Sequence, residues 1–215
     1  MYKILLVIIA FPFFLNAQQG VSITRLKYNG GGDWYNDPSA EVNLLKFVET
    51  NTNIKVKAEY NFVNISSDEL FAHPFLFMTG HGNVVFTNDE ASRLQKYLEN
   101  GGFLYIYDDY GFDKAIRREM KKVFPDREFV ELPFNYGLYN VLFNFHSGPP
   151  KTHKHDENPP RGFGIFNEER LVVFYTYESN PSDGWADPDV HKDTPEKREE
   201  ALKFGANIIV WSLTQ

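Results

Sequence analysis

Pro74-Phe75-Leu76-Phe77-Met78-Thr79-Gly80-His81-Gly82 and, one helix further on, Phe103-Leu104-Tyr105-Ile106-Tyr107-Asp108-Asp109 decide the fold. Each is an unbroken apolar run that ends in small or polar residues. Runs of this length without alternation suit strands buried on both faces, and such strands occur almost only in parallel sheets covered by helices. The segment between them reads as that covering helix. Thr87 with Glu90 makes a capping box, Ala91, Leu94, Tyr97 and Leu98 share one face, and Gly101 stands where a left-handed C-cap is wanted. Right-handed βαβ closure brings both strand ends, His81 and Asp108-Asp109, to the same edge of the sheet. In open α/β sheets that carboxyl edge is where ligands bind. The expected architecture is α/β and three-layered: a mostly parallel sheet, helices on both faces, and long irregular loops at the carboxyl edge.

Lys3, the apolar stretch Ile4 to Leu15 and the small residue Ala17 make residues 1–17 read as a secretory signal peptide cleaved before Gln18. The run is short for a spanning helix and Pro12 interrupts it. Residues 18–215 then form a single domain with a sizeable core. Loss of Lys3 takes the formal charge from −7 to about −8. A chain this acidic is not expected to bind nucleic acid, which needs clustered Lys and Arg on a basic domain. The sequence contains no cysteine. That excludes a thiol nucleophile and thiolate metal ligands, and an exported domain without disulfides fits a bacterial periplasm. Periplasmic, free or membrane-associated, is the expected location, with no integral membrane segment after cleavage.

Val21 to Tyr28 alternates apolar and polar residues and reads as the first strand; Ile54 to Tyr60 alternates in the same way and reads as the second. Between them Gly30-Gly31-Gly32 leads to a helix with Asp37 as N-cap, Pro38 at its first position and Val42, Leu44, Leu45 and Val48 on its buried face. The glycine triplet lacks the spacing of a nucleotide fingerprint, and a turn that lets Trp34 and Tyr35 fold over the sheet edge accounts for it. Ser66 with Glu69 starts a short helix. Asp113 caps a helix running to Phe124, with Ile116, Met120 and Val123 inward and Arg117, Arg118, Lys121 and Lys122 outward as a solvated face. Phe129 to Leu132 is a short strand. Gly164–Phe166 and Leu171–Tyr177 form a hairpin, and residues 136–162 and 178–193 are irregular. Thr194 caps the last helix, in which Gly205 implies close packing on the sheet.

Phe77-Met78-Thr79-Gly80-His81-Gly82, Tyr97-Leu98-Glu99-Asn100-Gly101-Gly102-Phe103, Asp108-Asp109, and Gly184-Trp185 with Arg198, Ala201, Gly205, Ala206, Asn207 and Ile208 occur in this order across nearly the whole mature chain. In that order and spacing they resemble an uncharacterised bacterial domain family, number 4159. The resemblance implies a class I glutamine amidotransferase-like (flavodoxin-like) fold, and larger relatives that join this domain to membrane segments. It implies architecture and no activity. By the same analogy the Gly80-His81-Gly82 loop corresponds to an oxyanion-binding loop. The nucleophile elbow falls on Asp108, Asp109 or Tyr110, where amidotransferases carry cysteine, so cysteine-dependent glutamine hydrolysis does not carry over.

The candidate catalytic set is His81 with Asp108 or Asp109; adjacent residues of an extended chain point to opposite sides, so only one aspartate can face the histidine. Gly80 and Gly82 allow close approach of a ligand. Trp34, Tyr35, Tyr110 and Trp185, together with Tyr136 and Tyr139, are expected near the same edge, where aromatic faces suit a glycan or peptide. His146, His153, His155 and Asp156 form a candidate divalent-metal site, since His153 and His155 project to one side of an extended chain. His191 is expected to do local capping. Two functions follow. The first is a ligand-binding or interaction module that takes a small molecule, glycan, peptide or membrane-associated periplasmic protein. The alternative is a hydrolase that uses His81 with Asp108 or Asp109, with or without a metal, on a cell-wall or carbohydrate-type substrate.

Overall fold

A computed structural model describes residues 20–153 and 157–215. The strands are β1 (Thr24–Lys27), β2 (Phe62–Asn64), β3 (Phe75–Met78), β4 (Phe103–Tyr107), β5 (Val130–Glu131), β6 (Arg161–Asn167) and β7 (Arg170–Tyr177). The helices are α1 (Ala40–Asn51), α2 (Asn88–Glu99), α3 (Asp113–Val123), α4 (Pro181–Trp185), α5 (Pro188–His191) and α6 (Pro195–Thr214). The strands make one seven-stranded sheet in the order β2-β1-β3-β4-β7-β6-β5. The first five in that order run parallel, and the β6–β7 hairpin with β5 adds an antiparallel flank. This is the mostly parallel, helix-covered α/β sheet expected from the two apolar runs.

The runs are apolar throughout because both faces are covered. Leu76, Met78, Leu104, Ile106, Val173 and Tyr175 pack under α2 and α3. Phe77, Tyr105 and Phe174 face α1, α6 and Trp185. Across β3, β4 and β7 these rings form a ladder, with centroids 5.6 Å apart for Phe77–Tyr105 and 5.8 Å for Tyr105–Phe174. Thr87 and Glu90 exchange both capping-box hydrogen bonds, and Gly101 closes α2 at φ 106°.

Several expectations need correction. The second strand is Phe62–Asn64, paired with Arg25–Lys27, whereas Ile54–Tyr60 touches the sheet through a single bridge, Val21 to Val56. Its alternation instead sends Ile54, Val56 and Ala58 against the core. Ser39, not Asp37, precedes α1, and Asp37 takes a left-handed backbone (φ 44°). Ser67 rather than Ser66 caps the short turn at Asp68–Ala72. Residues 178–193 hold α4 and α5. Gly205 packs on α1 and Trp185 rather than on the sheet, where a Cβ would lie 2.6 Å from Leu44 and 2.7 Å from Trp185. The basic face of α3 is only partly solvated: Arg118 and Lys122 pair with the buried carboxylate of Glu119, and Arg117 lies over Phe163.

Candidate functional site

Beyond their ladders, β3 and β4 stay together. His81 bridges to Tyr110, and the Gly82 N–H donates to the Tyr110 carbonyl at 3.0 Å. Gly80 (φ 147°) and Gly82 (φ 78°) supply the turn, and a side chain on Gly80 would collide with the Tyr28 hydroxyl. The His81 N–H donates to Asp33 Oδ1 at 2.6 Å. The N–H groups of His81 and Gly82 are thus bonded within the protein, so the oxyanion role implied by analogy does not extend to them.

His81 lies between two carboxylates. Its Nδ1 is 2.9 Å from Asp33 Oδ2 and its Nε2 is 3.2 Å from Asp109 Oδ2. A carboxylate accepts and does not donate, so this setting favours the form in which both ring nitrogens carry protons. Burial lowers the pKa of His81, but Asp109 and Asp33 outweigh it and the net direction is up. Burial likewise raises Asp33, and the hydrogen bonds from His81 bring it below the ordinary carboxylate value.

Asp109 and Asp108 diverge as expected of neighbours in a strand. Asp109 faces the β1–α1 loop and the residue that precedes α4. Asn36 Nδ2 donates to its Oδ2 at 2.8 Å, and the Tyr107 hydroxyl donates to its Oδ1 at 2.8 Å. Asn180 Nδ2 reaches its carbonyl at 3.1 Å. The same Tyr107 hydroxyl lies 2.7 Å from Asp183 Oδ1. Beyond Asp183 comes His191, with Nδ1 at 3.9 Å from Asp183 Oδ2 and Nε2 at 2.9 Å from Asp37 Oδ2. An unbroken chain of polar groups, Asp33–His81–Asp109–Tyr107–Asp183–His191–Asp37, therefore crosses the carboxyl edge. Burial first, and Asp109 second, push Asp183 well above the ordinary carboxylate range. For His191 burial lowers the pKa, and the carboxylates of Asp183 and Asp37 more than restore it.

Asp108 points to the other face. It accepts from the Phe112 N–H at 2.9 Å and faces the Tyr175 hydroxyl at 3.4 Å; burial pushes its pKa up to about 6. Asp108, Asp109, Asp113 and Glu178, with Tyr110, Tyr177 and Lys114, line a cavity of about 360 Å³. His81 touches Asp109 but does not line this cavity.

The aromatic candidates separate. Tyr110 and Tyr35 are exposed, and Trp34 is half-buried against Tyr35 and Phe62 with Lys27 over its ring. Trp185 is core, 1 % exposed, with its indole N–H donated to the Ala201 carbonyl. Tyr139 is also core, and Tyr136 packs on Trp211 and Phe166, beside the start of β7 and away from the carboxyl edge. Of the histidine loop, His155 and Asp156 lie outside the described residues, and His146 and His153 are exposed. The described residues whose donor atoms lie close enough to share an ion are instead Asp37, Asp183 and His191. Sequence reading treated two of these as capping groups and did not single out Asp183, because their contacts join distant parts of the chain.

An α/β domain with a histidine–carboxylate chain along the carboxyl edge of a parallel sheet, and no thiol, is the class that fold and site define. The chain belongs to the family described as domain of unknown function (DUF4159), whose profile matches residues 22–213. No curated protein matches the sequence.

Proposed function

We propose that this chain is an exported ligand-binding or interaction module, an amidotransferase-like scaffold without a nucleophile, that takes its ligand at the carboxyl edge. The observation that carries this reading is the state of His81, whose two ring nitrogens are both taken by carboxylates. With both nitrogens facing carboxylates the ring has no free nitrogen to take a proton from water or substrate, and Asp108-Asp109-Tyr110 offers no Ser, Thr or Cys at the strand end. The groups that remain bind rather than react. Four carboxylates and two tyrosines around one cavity suit a ligand with amine and hydroxyl donors on an apolar ring or backbone, as in an amino sugar or a peptide amine.

Thermal-shift and calorimetric titration of residues 18–215 with amino-sugar and peptide fragments of cell wall tests the reading, since a ligand of the folded state raises its stability by mass action. Glu178→Gln and Tyr110→Ala should each weaken binding at least tenfold, about 1.4 kcal/mol. Equal affinity of both variants, or no binding by the parent, sinks the proposal. Export has its own check: protein from the native host should begin at Gln18, whereas an intact Met1 on membrane-extracted protein would mean an anchor. Residues 1–17 lie outside the described residues.

One observation favours the hydrolase reading. Asp108, at the cavity wall with a pKa of about 6, can hold a proton near neutral pH as a general acid must. Turnover of any of these fragments that Asp108→Asn abolishes would establish it in place of the binding reading.

A further inference from the structure

We propose that Asp37, Asp183 and His191 form a binding site for one divalent transition-metal ion, between the approach to α1 and the α4–α5 segment. The three come from separate places: Asp37 from the β1–α1 loop, Asp183 from α4 and His191 from the last position of α5. One donor atom from each lies within 4.8 Å of the other two. Ligand atoms bound to a common ion at about 2.0–2.2 Å stand roughly 3–4.4 Å from one another, so small side-chain shifts complete the arrangement.

Proximity of acids alone would not make a site. The independent observation is a shortage of donors at Asp183. Its side chain is 3 % exposed, yet its Oδ1 shares the single Tyr107 proton with Asp109. Asp109 has Asn36 and Asn180 amides besides. Among the described residues Oδ2 of Asp183 accepts no hydrogen bond and is directed at His191, 3.9 Å away. A carboxylate this enclosed, with one shared hydrogen-bond donor and only His191 on its other oxygen, is a place where a cation is stabilising. The surrounding backbone is already braced, because Ser39 Oγ accepts from the Asp187 N–H at 3.1 Å, and Asn43 Nδ2 donates to the Trp185 carbonyl and to Asp187, both at 2.9 Å. His191 and Asp37 keep partial exposure, which leaves an entry path from solvent.

Two carboxylate oxygens and one imidazole nitrogen suit Zn²⁺ or Mn²⁺ better than the all-oxygen preferences of Mg²⁺ and Ca²⁺. The proposal is independent of the ligand reading, since a cavity beside Asp108 that binds nothing would leave it intact. Metal-stripped protein of residues 18–215 should be titrated calorimetrically with Zn²⁺, Mn²⁺ and Mg²⁺. The expected result is one saturable site for Zn²⁺ or Mn²⁺ that Asp183→Asn and His191→Gln each weaken at least tenfold. Asp68→Asn, which removes an exposed acid elsewhere, should bind like the parent. Circular dichroism confirms that each variant is folded, and Asp37→Asn, on the solvent side of the cluster, replaces Asp183→Asn if the buried change disrupts the fold. Absence of saturable binding, affinities of the Asp183, Asp37 and His191 variants equal to the parent's, or loss of binding only on mutation of His153 and His155 would overturn the assignment.

Discussion

Tyr107 has one proton to donate and two carboxylates within reach, Asp109 at 2.8 Å and Asp183 at 2.7 Å. Asp109 keeps amide donors when that proton goes elsewhere, and Asp183 does not. Tyr107→Phe should therefore destabilise the fold by about 1–3 kcal/mol, the cost of leaving a buried acceptor unmet, as read from urea unfolding. Asp108 makes a prediction of the opposite kind. Its folded pKa of about 6 exceeds the ordinary 3.8, so between those values the native state binds more protons than the unfolded chain. Its contribution is present at low pH and lost as pH rises from about 4 to 6, a fall on the order of 2–3 kcal/mol. Asp33 works the other way, with stability present above the ordinary value and lost on acidification. Asp108→Asn should be more stable than the parent at pH 7 and should flatten the pH profile from 4 to 7 in urea titrations; an unchanged profile refutes the assignment. That His81 meets one of Asp108 and Asp109 was legible because each ends a buried strand at the same edge; that the partner is Asp109 was not, because a shift of one residue turns a strand side chain to the opposite face. The pairing of His191 with Asp37 was not, because it closes over 154 positions through a loop and a short helix that carry no periodic signal.

At the scale of elements, α2 was readable to its caps because everything that defines it is local: one capping box, one apolar stripe and one glycine. Ile54–Tyr60 shows the limit. Alternation records which side chains turn inward, and here they do turn inward, but only Val56 meets a neighbouring strand. The ladder begins later, at Phe62, whose own side chain is exposed and so gave no pattern. Gly205 tests the packing of α6. Alanine there gains about 1 kcal/mol of helix propensity. Its methyl, however, must displace Leu44 and the rigid indole of Trp185. Gly205→Ala is expected to lose about 1–3 kcal/mol net by overpacking, measured by thermal and urea unfolding, and a gain would mean that α1 can retreat freely.

For the whole molecule, the sheet is a shared wall between two cores. Leu76, Leu104 and Val173 belong to one side, and Phe77, Tyr105 and Phe174, interleaved on the same strands, belong to the other. Neither side can melt while the other keeps the strands in place. Leu104→Ala should cost roughly 2–5 kcal/mol and leave the far-ultraviolet and tryptophan-fluorescence transitions coincident, although its methyl groups lie on the face opposite Trp185. Separate transitions would show that the layers unfold independently. The layered architecture was legible because parallel strands buried on both faces have nowhere else to go. The flank was only partly so, since β5 is two residues long.

Those lateral strands have a consequence for the protein in concentrated solution. β2 offers three residues of outer backbone and β5 two, with Val130 turned to solvent. A stray chain that tries to register against either rim finds too little ladder to hold on to, which is one way that natural sheets avoid edge-to-edge growth. Any clumping on warming should therefore wait for the cores to open rather than spread from the folded margins.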